Sequence, residues 1–577
     1  MKKNTLKRAF VLVLSLICAV SVVACDGEID SEQTKNEDST VLLESETESV
    51  SQTETALEAV TVTETETIAE TEEETDATNL ILGDDVEYAD DFSVSKVFGD
   101  NMVLQRNEYI RVWGWADESQ NGKKVSASFG ESVADGLIEN GAWEIVLKVR
   151  LEACAEKGNH LTVYTDSKES VYHDVLIGDV FMVIGQSNVQ YSINDYLNAE
   201  PNLKWKTDEL DPNSLIRINY NSNTDKEGYP VRGSADVCED VVTDNGWVIP
   251  DADNVLRLSA VGYFIADQIV ELTQNSIPVG IAQFSASGRP LSVFMPNELA
   301  DQYGTDHFDE EKGIYIDNYY GHVETRYMYN HYIKPYEKMP IAGIVWYQGE
   351  SESNIKLSAV FVERFTLLMN YMRSTHNLVN KEFPVFVVEF PSVYKVEGSD
   401  QYLDTGRSRA VEGTIPMNLP NSYVAVTSDL WNDKTNTNNI HPYCKYEIAE
   451  RVSALIDAVI YEGRSIDEAS GPVLESYEVS SDRKTIVLKF ANCGDGLTTS
   501  DGGTTVTGMF QLSKKNMIEK RYAVVAEITA PDTVTVTCER AMTGVAYHAI
   551  SEYFFGVDIN LCDSDGTPAA AFWIFTP

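Results

Sequence analysis

Between residues 176 and 465 the chain alternates short apolar runs with amphipathic stretches, and this alternation narrows the fold more than any other feature. The runs lie at 180–184, 278–284, 342–347, 384–390 and 423–427. Runs of this length, uninterrupted by polar residues and closed by turn signals, read as strands buried on both faces. The intervening stretches have helical period. In 358–373, Phe361, Phe365, Leu368 and Met372 fall on one stripe, and in 443–460 Ile448, Val452, Leu455, Ile456 and Val459 do the same. Strands interleaved with helices predict an α/β domain over 176–471, built on a doubly wound parallel five-stranded sheet. Residues 193–256 and 296–330 read as polar, aromatic-bearing insertions of the kind that shape a site at a sheet edge.

The flanks have a different rhythm. Residues 92–175 carry short runs at 102–104, 109–115, 124–129, 143–149 and 160–164, separated by Gly-, Asn- and Asp-bearing turns. Residues 472–577 carry runs at 485–490, 504–512, 522–528, 533–538 and 571–575, with Pro472 at the boundary. Both patterns predict β-sandwich domains on either side of the α/β domain. Trp113, Trp115 and Trp143 could face a sugar, but large aromatics in a small β domain more often fill its core, and core is the expectation here.

The N-terminus reads as an address. Lys2, Lys3, Lys7 and Arg8 precede an apolar stretch, 9–23, that is short for a membrane span. It ends in Val22-Val23-Ala24-Cys25, which resembles a bacterial lipobox: residues 1–24 would be a signal peptide, and Cys25 would carry lipid. An ordinary secretory signal and an uncleaved anchor are the alternatives. Residues 25–91 read as a disordered stalk. From residue 26 onward it holds 23 acidic residues against one lysine, Lys35, and too little apolar surface to offset chain entropy. The expected location is extracytoplasmic, at the cell surface and lipid-anchored. A net charge of −47 argues against nucleic acid and against an anionic membrane surface as partners, so the membrane is met through the N-terminal lipid only. Cys154, Cys238, Cys444, Cys493, Cys538 and Cys562 contain no C-x-x-C pair, and no metal-ligand cluster is evident, so neither metal nor cofactor is expected. Pairing among Cys493, Cys538 and Cys562 is left open.

The chemistry concentrates after the strand-like runs. The first ends in Gly185-Gln186-Ser187-Asn188. Ligands of open parallel sheets bind outside the carboxyl ends of the strands, and a serine at a strand-to-helix turn there has the placement of a nucleophile. His441, in Ile440-His441-Pro442 after the last run and before the final helix, is the histidine expected at the same edge and the candidate base. The other seven histidines fall in β segments, insertions or near helix ends. Gly288 follows the second run and Gln348 the third, so each could present an N–H to a developing oxyanion.

In this order, Gly-Gln-Ser-Asn, then Gly-Ile-Val-Trp-Tyr-Gln-Gly-Glu-Ser-Glu, then Ile-His-Pro-x-x-Lys resemble the sialate O-acetylesterase family. That family is a branch of the SGNH (GDSL-like) hydrolases that includes acetylesterases acting on plant polysaccharides. The resemblance spans roughly residues 92–577, through Phe98–Arg106 and Val112-Trp113-Gly114-Trp115 at one end and Asn560-Leu561 with Gly566-x-Pro568-Ala569 at the other. It implies an SGNH-type sheet, no cofactor, and a carbohydrate O-acetylesterase acting on O-acetylated glycans, either sialic acid or a plant polysaccharide such as xylan. Ser187 is implied as nucleophile and His441 as general base, with the Ser187 N–H, Gly288 and Gln348 holding the oxyanion. Gln186, Asn188, Arg289 and Glu350 are implied near the substrate, with Arg257 and Lys334 as further cations.

The chain departs from the family twice. Ser287-Gly288-Arg289 replaces a Gly-Gly-Thr type of block. Asn438 and Asn439 stand where the family carries an aspartate before His-Pro. Three readings follow for the group that orients His441: an asparagine, a carboxylate from Asp429, Asp433 or Glu350, or none adequate. In the last case the chain is a catalytically weak or inactive glycan-binding surface lipoprotein.

Overall fold

The computed structural model describes residues 92–576, apart from 157, 200–209, 211–213, 223–236, 242–245, 311–313, 320, 322, 354, 391–405, 431–439, 514–522 and 550–558. The expected signal, Cys25 and the stalk lie outside the described residues, as do Asp433, Asn438 and Asn439.

All five expected strands form, and they share one sheet. They are β2 (Leu176–Gly185), β5 (Val279–Ser285), β6 (Gly343–Tyr347), β7 (Val385–Val388) and β8 (Ser422–Ala425). Among the described residues the sheet nevertheless has eight strands rather than five. The additional ones are β1 (Val103–Gln105), β3 (Ile216–Ser222) and β4 (Trp247–Val248), in the order β4-β3-β5-β2-β6-β7-β8, with β1 paired to the start of β2. Every pairing is parallel except β3 with β4. The extra strands were hidden for physical reasons. β3 reads Ile-Arg-Ile-Asn-Tyr, and its polar residues break the apolar run. Arg217 is nevertheless buried, because its guanidinium donates to the carbonyls of Ser214 and Ile216 and meets Asp174 at 3.5 Å. β1 comes from the N-terminal flank rather than staying in that flank's own sheets. It is held to β2 by Gln105, which accepts from the Val180 N–H, and by the Arg106–Asp179 ion pair at 2.9 Å.

β2 is buried along its whole length and has β5 on one side and β6 on the other. The chain winds outward from β2 in both directions, so the carboxyl end of β2 is the topological switch point. The three strands end in register: Gly185 lies opposite Ser285 on one side and Tyr347 on the other. Gly185 is required there, because a Cβ would stand 2.0 Å from the Tyr347 carbonyl oxygen.

Four helices position the site. These are α1 (Ser187–Gln190), α2 (Ala260–Leu272), α3 (Ile355–Thr375) and α4 (Lys445–Ile456). Ser259 caps α2 by accepting from the Gly262 N–H. α2 packs against α4, with the Phe264 and Tyr446 rings 5.3 Å apart and Gln268 donating to the Tyr446 carbonyl. α3 buries the expected stripe of Phe361, Phe365, Leu368 and Met372. Successive side chains of β6 point to opposite faces. Trp346 meets Phe365 of α3 at 5.1 Å, while the Tyr347 ring lies under Lys445 of α4, so α3 and α4 cover opposite faces of the sheet.

N-terminal to this sheet, two antiparallel sheets form. One joins Ser93–Val94, Tyr109–Trp115 and Ala142–Arg150, and the other joins Ser132–Leu137, Lys124–Phe129, Leu161–Tyr164 and Glu169–Tyr172. Their core is continuous with that of the α/β region and takes in Trp113 and Trp143. C-terminal to it, a five-stranded, a three-stranded and a two-stranded antiparallel sheet surround a separate core. This part docks on the α/β region through Glu389, which accepts from the Ala571 N–H at 2.7 Å, and Arg409, which donates to the His548 carbonyl. The six described cysteines are all free thiols, so no pairing joins Cys493, Cys538 and Cys562.

Candidate active site

The in-register strand ends bring three turns together. Gln186-Ser187 follows β2, Ala286-Ser287-Gly288 follows β5, and Gln348-Gly349-Glu350 follows β6. His441 arrives from the segment before α4. Ser187 and His441 line one cleft of about 680 Å³, together with Tyr191, Tyr220, Arg257 and Ser287. Both are half-buried. Burial, and then the charge of Lys445, push His441 down to about 4, against an opposing pull from Asp195. The imidazole is therefore neutral near pH 7, as a general base must be. Gly288 sits exposed at the tip of its turn with φ +65°, beside the cleft-lining Ser287.

Other residues expected at the substrate lie behind the cleft. Asn188 is fully buried: its amide nitrogen donates to Glu350 at 2.5 Å and to the Ile440 carbonyl at 3.1 Å, and its oxygen accepts from the Lys445 ammonium at 2.6 Å. Glu350 is buried and also accepts from the Gly349 N–H, and burial raises its carboxyl to about 7. Gln186 is buried too. These three residues therefore contact protein rather than line the cleft. The Gln348 amide is turned inward, donating to Glu352 at 2.5 Å and to the Arg289 carbonyl at 3.2 Å. Glu352 is itself raised to about 8 by burial. Arg289 is half-buried, and Lys334 pairs with Glu337, so of the expected cations it is Arg257 that lines the cleft. Among the carboxylates weighed as orienters, Asp429 pairs with Arg451 at 2.7 Å and Glu350 is committed to Asn188. Among the described residues no group of three or more His, Cys, Asp or Glu side chains could hold a metal ion.

Sequence reasoning gave no role to Lys445, Glu352, Tyr191 or Tyr220. Lys445 did leave a signal. It stands three and seven residues before Ile448 and Val452, on the apolar stripe of α4, where a charge must find partners or neutralise.

A family described as carbohydrate esterase, sialic acid-specific acetylesterase matches residues 177–445. The chain is similar to a human protein named sialate O-acetylesterase, at 23% identity over 71% of this chain and 79% of the relative. It is also similar to a rat protein of the same name, at 23% identity over 64% of this chain and 71% of the relative. A solved structure of a carbohydrate acetylesterase from Xanthomonas citri has the same fold, with a TM-score of 0.62 and 22% identity over 84% of this chain and all of that one. The α/β fold and the matched segment together define a carboxylic ester hydrolase. Residues 177–445 are the segment that is similar to the sialic acid-specific acetylesterase family of carbohydrate esterases.

Proposed function

We propose that the protein is a serine-dependent carbohydrate O-acetylesterase with an SGNH-type hydrolase domain between two β-sandwich domains. The observation that carries this reading is that Ser187 and His441, 254 residues apart in sequence, line one cleft at the carboxyl edge of the sheet. Ser187 Oγ attacks the acetyl carbonyl while His441 takes its proton. The tetrahedral intermediate collapses, the sugar oxygen leaves with the proton from His441, and an acetyl-enzyme remains. Water, deprotonated by the same imidazole, then releases acetate and regenerates Ser187. The backbone N–H groups of Ser187 and Gly288 are the proposed oxyanion donors; Gln348 joins them by releasing one of its present acceptors, Glu352 or the Arg289 carbonyl.

Tyr191, Tyr220 and Arg257 at the cleft suit a sugar ring that carries hydroxyl or carboxylate groups, which favours an O-acetylated glycan, sialic acid included. The lipobox and acidic stalk of the sequence support an enzyme tethered by lipid outside the cell. The test is acetate release from 4-nitrophenyl acetate, acetylated xylan and O-acetyl sialic acid by a soluble chain beginning at residue 86. We expect Ser187→Ala and His441→Ala each to lose on the order of 10³-fold or more in kcat. Full activity in Ser187→Ala would overturn the reading.

A further inference from the structure

The two carbonyls that flank His441 are both held by one buried hydrogen-bonded unit. The Ile440 carbonyl accepts from Asn188 at 3.1 Å, and the Pro442 carbonyl accepts from the Lys445 ammonium at 2.8 Å. Asn188 and Lys445 are bonded to each other at 2.6 Å, and Asn188 is bonded to Glu350 at 2.5 Å. Asn188 directly follows Ser187, so the unit joins the residue after the candidate nucleophile to the carbonyls of the two residues on either side of the candidate base.

We propose that Asn188 and Lys445 are positioning residues, a clamp that sets the separation and orientation of His441 relative to Ser187. The inference rests on the serine–histidine reading of the cleft and goes beyond it by assigning work to two side chains that touch no substrate.

The bonding pattern fixes the orientation of the Asn188 amide. An ammonium requires acceptors, so it faces the amide oxygen; a carboxylate and a carbonyl require donors, so they share the two N–H groups. Leucine or aspartate at 188 would break this pattern. Bonds to charged partners inside the protein are stronger than neutral ones, so the turn that carries His441 resists displacement. A misplacement of about 1 Å at a reacting group is enough to cost about 10²-fold in rate.

The clamp also acts on His441 electrostatically. Lys445 faces Glu350 through Asn188, the Cys444 thiol on its own helix, and the Tyr191 and Tyr347 rings at 4.8 and 5.4 Å. His441 feels the charge of Lys445 and, in the opposite sense, that of Asp195. Burial lowers Lys445 itself to about 7, so it is cationic across the acid range where His441 titrates, and that charge opposes protonation of the imidazole.

The test compares Lys445→Met and Asn188→Ala with wild type in the chain from residue 86, with thermal unfolding recorded for each and Ser187→Ala as the control. We expect both variants to lose 10- to 100-fold in kcat on 4-nitrophenyl acetate with KM changed less than about threefold. In Lys445→Met the acid limb of kcat/KM should also move to higher pH, a change that a loss of stability alone would not produce. If Lys445→Met does not fold, Asn188→Ala carries the kinetic test, since it removes the three side-chain bonds to Glu350, the Ile440 carbonyl and Lys445 while leaving the Lys445 side chain in place. Folded variants with kcat within threefold of wild type and an unmoved limb would overturn the clamp while Ser187→Ala remained inactive. Activity that survived Ser187→Ala would overturn the serine–histidine reading and the clamp with it.

Discussion

The environment of His441 predicts where activity fails as pH falls. An imidazole in water changes charge near 6.5, whereas burial and then Lys445 carry His441 down to about 4. That difference corresponds to roughly 3 kcal/mol against the imidazolium. The sign follows from linkage. The neutral form is favoured by the fold, so the contribution of His441 to stability is present above pH 6.5 and is lost as pH falls toward 4. For catalysis, at pH 5.5 about nine-tenths or more of His441 remains neutral, against about one-tenth for an unperturbed imidazole. The acid limb of kcat/KM should therefore have its midpoint near 4, with activity at pH 5.5 close to that at pH 7.5. The assay is hydrolysis of 4-nitrophenyl acetate between pH 4.5 and 8, read at a wavelength where nitrophenol and nitrophenolate absorb equally, with circular dichroism to confirm the fold at each pH. Asp195→Asn removes the group that pulls in the opposite direction and should carry the limb lower still. A limb centred at 6.5 or above in wild type would refute the assignment of His441 as a buried, cation-flanked base.

Three further outcomes are expected. Gly349→Ala would place a Cβ 1.9 Å from Glu412, a buried carboxyl tied to the Phe390 N–H, so the urea midpoint should fall by the equivalent of about 1–3 kcal/mol; an unchanged midpoint would contradict the close packing of this turn. Burial raises Glu352 to about 8, so its contribution to stability is full below about 4.5 and is lost as pH rises through 8. Glu352→Gln should therefore gain on wild type by an order of a few kcal/mol between pH 5 and 8.5 in denaturant unfolding, and a constant difference would argue against the shift. Alkylation in denaturant without reductant should label Cys154, Cys238, Cys444, Cys493, Cys538 and Cys562 alike in the chain from residue 86, and protection of any pair would reveal a disulfide.

Local pattern alone carried the five apolar strands, the helices with stripes at Phe361–Met372 and Ile448–Ile456, the serine after β2 and the histidine before α4. Each of these is a short-range signal: a strand buried on both faces must be apolar throughout, a packed helix must repeat its apolar residues every three to four positions, and glycine must stand where strand ends crowd, as Gly185 does against Tyr347. Tertiary structure decided the rest. β3 became a sheet strand because Arg217 met Asp174 and Asn219 met Tyr336, and β1 left its own flank because Gln105 and Arg106 bond to β2. Asn188 and Glu350 adjoin the candidate catalytic motifs in sequence, yet they turn inward because Lys445, 257 residues beyond Asn188, bonds to the Asn188 amide oxygen while Glu350 accepts from its nitrogen. Which polar groups face substrate and which face one another depends on partners distant in the chain, and no local period in the sequence encodes those pairings.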